Sequence, residues 1–219
     1  MSWNKCLYLY HQKYGGQFWA GEADDALLVL PWKGRFLAVD LYQASGQYGP
    51  FPHPQVRTPV TLAKPYKLTI GEEGKLSAGV NAVLKAVPGL PGGSFLPADF
   101  GFPEVTKKRL ITSDNHPFTK LALGNLDFRN ALAACPDDKV EVRPGPGEEG
   151  LHLITVTTST VLDRAGSDWY LGEYYPSVQA TEEEKAQTNR EVKEKFFTRM
   201  DRFLDLARAA YGAVTQWPL

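Results

Sequence analysis

Apolar positions along this chain switch repeatedly between the period of a helix and that of a strand. Trp3, Leu7, Tyr10 and Tyr14 fall at i, i+4, i+7 and i+11. Ser2 stands before them as a cap, and Gly15-Gly16 follows as a stop. The spacing predicts a helix, although Cys6, Tyr8 and Tyr10 also alternate as a strand would. Ala26–Trp32 and Arg35–Gln43 come next, split only by Lys33-Gly34. In the second run Leu37, Val39 and Leu41 share one face and Ala38, Asp40 and Tyr42 the other. That alternation, with a two-residue connection, predicts a hairpin.

Ala44–Pro59 carries Gly46, Gly49 and prolines at 50, 52, 54 and 59. Proline lacks an amide donor, so this stretch reads as an extended loop and neither helix nor central strand. Val56–Leu62 and Tyr66–Ile70 read as short strands, which Pro59 and Pro65 confine to edges or strand ends. Ser77–Val87 has apolar residues at 80, 83, 84 and 87 and predicts a helix, stopped by Pro88-Gly89.

From Val105 to Leu162 the pattern is strand, helical block, strand, strand. Val105–Thr112 is the first strand, and Ser113–Pro117 is a capped turn. A helical block runs from Pro117 to Ala134, with Phe118, Leu121, Phe128, Leu132 and Cys135 on its apolar stripe and a breaking point at Gly124-Asn125. Lys139–Arg143 and Leu151–Leu162 are the later strands, joined by a Gly/Pro loop. Trp169–Tyr175 adds another strand. Thr181–Tyr211 is the longest predicted helix. It opens on a Thr181/Glu184 capping box with Glu182, Glu183 and Glu184 at the positive end of its dipole. Its apolar stripe begins only at Val192, so its first turns project or pack loosely.

Strands that do not alternate regularly with helices argue for an α+β fold and against a doubly wound parallel sheet. The expected architecture is a largely antiparallel sheet flanked by helices, with the long C-terminal helix packed by its second half. One globular domain over 1–219 accommodates this. Two lobes, 1–89 and 104–219, joined by the Gly/Pro-rich segment 90–103, would as well. The series helix then three strands at 2–62 and again at 117–175 suggests duplicated α-β-β-β halves, with no residue-level repeat to accompany it.

Composition narrows the function classes. A net charge of −1 argues against a general nucleic-acid binder. Two cysteines, Cys6 and Cys135, make free thiols the natural reading and point to a cytoplasmic protein. No stretch reaches the roughly 18–20 apolar residues that span a bilayer, so no membrane contact is expected.

The candidate chemistry is sparse. Gly145, Gly147 and Gly150 spell GxGxxG, but a strand pattern follows, Pro146 has no amide donor, and Glu148 and Glu149 would repel a phosphate. The stretch reads as a loop, and no cofactor is expected. The histidines at 11, 53, 116 and 152 show no metal-ligand spacing, so no metal site is expected either. Ser113-Asp114-Asn115-His116-Pro117 is first a helix cap; as a site, Asp114 would orient His116 as a general base. Cys135 lies 19 positions beyond His116, ~28 Å along an unbroken helix, and reads as a core thiol. Trp169, Tyr170, Tyr174 and Tyr175 combine apolar bodies with polar tips and could line a ligand or partner groove. Lys107-Lys108-Arg109 is too short for a nucleic-acid patch.

The hairpin with Gly34-Arg35-Phe36-Leu37-Ala38-Val39, the Pro-rich connection and a strand ending in Ser113-Asp114 before a short helix resemble bacterial α+β proteins of unassigned function. No residue role follows from that resemblance. Two functions are therefore expected from the residues. The first is a non-catalytic binding or assembly module, meeting a protein partner or a second copy through the aromatic run or the exposed half of the C-terminal helix. The alternative is an enzyme with its site near Asp114 and His116.

Overall fold

The computed structural model describes residues 2–23, 25–46, 49–72, 100–106, 109–158 and 181–219. Among them lie five helices: α1 (Trp3–Tyr14), α2 (Pro103–Thr106), α3 (His116–Leu123), α4 (Leu126–Ala134) and α5 (Glu182–Thr215). The eight strands are β1 (Gln17–Trp19), β2 (Leu27–Trp32), β3 (Arg35–Gly46), β4 (Gly49–Thr61), β5 (Leu68–Glu72), β6 (Arg109–Ser113), β7 (Asp138–Pro144) and β8 (Leu151–Thr158). They form one antiparallel sheet in the order β1-β2-β3-β4-β8-β7-β5-β6, and the class is α+β. The expected helix at 77–87 and strand at 169–175 lie outside the described residues. The chain divides into two compact units, 1–57 with 157–204 and 58–156 with 205–219.

In the first unit, α1 forms where the periodicity put it. The Ser2 hydroxyl accepts the Lys5 amide, and the Gly15 amide donates to the His11 carbonyl. Trp3, Cys6, Leu7 and Tyr10 are buried, and the Trp3 indole donates to the Ala26 carbonyl at 2.9 Å. The β2–β3 hairpin turns on Lys33 and Gly34, both at positive φ (47° and 73°), as a tight turn matching strand twist requires. α5 meets α1 through Trp3 on Phe196 and Tyr10 on Phe197, both edge-on.

The proline-rich stretch is a strand, which corrects the loop expected at 44–59. β4 pairs with β3 from Ala38↔Arg57 to Gly46↔Gly49. In an antiparallel ladder only alternate residues exchange bonds with a given neighbour. Prolines 50, 52 and 54 share one parity, so they remove donors from one edge alone. The amides of 51, 53, 55 and 57 remain for β3. Pro59 has the other parity, but it would face Phe36, and the pairing stops short of it at Arg57. Pro59 and Pro65 mark strand ends and not edges: Pro59 lies near the end of β4 at Thr61 and Pro65 before β5 starts at Leu68, while both strands are interior.

In the second unit, β5 lies between β6 and β7, with registers Leu68↔Ser113 and Leu68↔Val142. Leu68, Ile70, Val140, Val142 and Ile154 are buried on its core face. Val105 does not begin a strand; it sits in the short α2, and β6 starts at Arg109. The helical block breaks at Gly124-Asn125, where the Asn125 side chain accepts the Phe128 amide and starts α4. The break resets the helical phase. Phe118, Phe128 and Leu132 are buried as expected, but Leu121 is 46% exposed and Ala122 and Leu123 take its place.

α5 begins with the expected capping box: the Thr181 amide donates to Glu184 Oε2 at 2.8 Å, and the Glu184 amide to Thr181 Oγ1 at 3.2 Å. Between 182 and 195 only Thr188 and Val192 are even half-buried. Buried side chains start at Phe196 and run to Val214, so the helix outlasts the Tyr211 boundary by one turn.

Candidate functional site

The Ser113–Pro117 turn is held by hydrogen bonds to Ser113, Asp114 and Asn115. Asn115, not Ser113, caps α3, accepting the Phe118 amide at 3.1 Å; Ser113 ends β6. Asp114 Oδ1 accepts the Lys67 amide at 2.8 Å, and the Asp114 amide donates to the Lys67 carbonyl. This pair ties the turn to the segment entering β5. Among the described residues no hydrogen bond joins Asp114 to His116. The His116 ring instead stands edge-on to Phe100, with centroids 5.8 Å apart. Behind the turn, Tyr66 Oη, Thr119 Oγ1 and Ser113 Oγ form a buried hydroxyl chain at 2.7 and 2.6 Å. Burial pushes the Tyr66 phenol up to about 12, against the opposing pull of its hydroxyl partners.

The other expected sites sort in the same direction. Gly145–Gly150 is a hairpin connection: the Gly145 amide donates to the Leu151 carbonyl, and no helix follows. Cys135 is buried at the end of α4. Arg109, the last of the basic run, points inward and donates to the carbonyls of Leu132, Cys135 and Asp138. Burial lowers its pKa, which Asp138 beside it counters. No group of three His, Cys, Asp or Glu side chains among the described residues could hold a metal ion, and no described helix is long and apolar enough to cross a membrane. Trp169, Tyr170, Tyr174 and Tyr175 lie outside the described residues.

What the structure assembles is a surface. Register puts Gln17 beside Val29 and Trp19 beside Leu27; Val29 beside Ala38; and Ala38, Asp40 and Tyr42 beside Arg57, Gln55 and His53. Phe36 and Pro31 close the same face. The opposite face carries buried Leu28, Leu30, Leu37 and Val39, and Phe18, whose ring meets Tyr8 and His11 of α1. α1 therefore covers one face of β1–β2. On the other, Trp19, Phe36 and Tyr42 are 51%, 46% and 49% exposed, while Leu27, Val29, Ala38 and Asp40 are half-buried between them.

The centre of this face is polar and internally balanced. Asp40 Oδ2 pairs with Arg57 Nη2 across adjacent strands. Burial raises the Asp40 pKa, and Arg57 pulls it back. Three atoms here, Asp40 Oδ1, His53 Nδ1 and Arg57 Nε, are buried without a hydrogen-bond partner. The sequence held one trace of this surface, the alternation Ala38/Asp40/Tyr42. Placing Trp19, His53 and Arg57 on the same face needs three registers, which alternation within one strand does not contain.

No family model and no curated protein matches the chain. Among solved structures, the mycobacterial trehalose monomycolate transport factor A, TtfA, is similar over 94% of this chain and 94% of its own, at 9% identity and a TM-score of 0.39. A likeness of that degree carries nothing about function.

Proposed function

We propose that this protein is a non-catalytic binding module that docks a protein partner on the β1–β4 face. The observation that carries the reading is the exposure of Trp19, Phe36 and Tyr42 on one face of a single sheet. Exposed aromatic side chains that share one sheet face are a feature of contact sites. The exposed first turns of α5 hold charges of both signs and little apolar surface. They contribute orientation more than affinity. The enzyme alternative has less support, because Asp114 Oδ1 accepts the Lys67 amide and no hydrogen bond among the described residues joins Asp114 to His116.

The test compares full-length protein with a Trp19→Ser/Phe36→Ser/Tyr42→Ser variant in proximity cross-linking from its own host. Partners cross-linked to the native protein are expected to be lost from the variant and kept by His116→Ala. Partners retained equally by the triple variant would overturn the reading. So would an activity in a broad substrate screen that His116→Ala abolishes without lowering the melting temperature.

A further inference from the structure

We draw no further inference here: the strongest candidate, the exposed apolar side chains of Leu121 on α3, Leu126 on α4 and Trp217 just past α5, beside the Asn125–Gln216 hydrogen bond, is a surface patch for which nothing in the structure shows what covers it.

Discussion

His152 holds Tyr66 by its backbone: imidazole Nε2 lies 3.0 Å from the Tyr66 amide and can only accept from it. That fixes the tautomer, so Nδ1 carries the hydrogen and donates to the Gly150 carbonyl at 2.9 Å. The same carbonyl accepts the Leu62 amide at 2.9 Å. Gly150 sits at φ 81°, and a Cβ there would stand 2.9 Å from the Leu62 carbonyl oxygen. One histidine thus joins the β7–β8 connection to the segment leading into β5. His152→Ala strands the buried Tyr66 amide and opens a cavity. The expected loss is about 2–4 kcal/mol. His152→Gln, whose amide oxygen can accept near the Nε2 position, is expected to lose less. Urea denaturation of both variants checks the order.

Arg109 closes α4 from outside the helix. Its guanidinium donates to three carbonyls, of Leu132, Cys135 and Asp138, from a buried position on edge strand β6. Lysine is a point donor and cannot serve that fork. Arg109→Lys is expected to cost about 1–3 kcal/mol, and Arg109→Leu at least as much, because the carbonyls of Leu132 and Cys135 at the end of α4 and of Asp138 opening β7 then lose this donor. Hydrogen exchange should show α4 losing protection before α5.

Much of this scaffold was legible from residue chemistry. Ser2, Lys33-Gly34, Gly124-Asn125 and the Thr181/Glu184 box mark boundaries that depend on neighbours in the chain. What misled was long-range pairing. Prolines 50, 52 and 54 read as breakers until β3 supplies a partner that needs only the alternate amides. Leu121 read as core because the stripe was drawn through a break. Likewise the tie between Asp114 and Lys67 is a contact that the local sequence around His116 does not contain.

The Asp40–Arg57 pair gives a pH signature. Burial raises the folded-state pKa of Asp40 above the ordinary 3.8, so the folded state takes up this proton more readily than the unfolded chain. The contribution of Asp40 to stability is therefore most favourable below the unfolded value and declines as pH rises through the raised one. Asp40→Asn should remove that segment of the stability–pH curve. Arg57→Met leaves the half-buried carboxylate without its counter-ion. It is expected to cost about 1–2 kcal/mol near pH 7 and less near pH 3, where the carboxyl is neutral. Chemical denaturation of native protein and both variants at the two pH values measures the difference. An equal loss from Arg57→Met at both would show that the guanidinium contributes packing alone.

α5 carries two kinds of stability along one rod of 34 residues, ~51 Å long. From Phe196 onward its apolar side chains are buried, and Tyr10 and Tyr14 of α1 both donate to the Asp201 carboxylate. Before Phe196 the helix rests on local terms: the capping box, three glutamates facing the dipole, and the Glu182–Lys185 pair at 2.7 Å. Each is worth from a few tenths to about 1 kcal/mol, too little to hold exposed turns against fraying for long. Amides of 184–194 are therefore expected to exchange well ahead of those of 198–214. Thr181→Ala should accelerate the first group several-fold and leave the second, and the global unfolding midpoint, nearly unchanged. Equal acceleration of both would mean that the exposed turns are coupled to the core, which the burial pattern gives them no means to be.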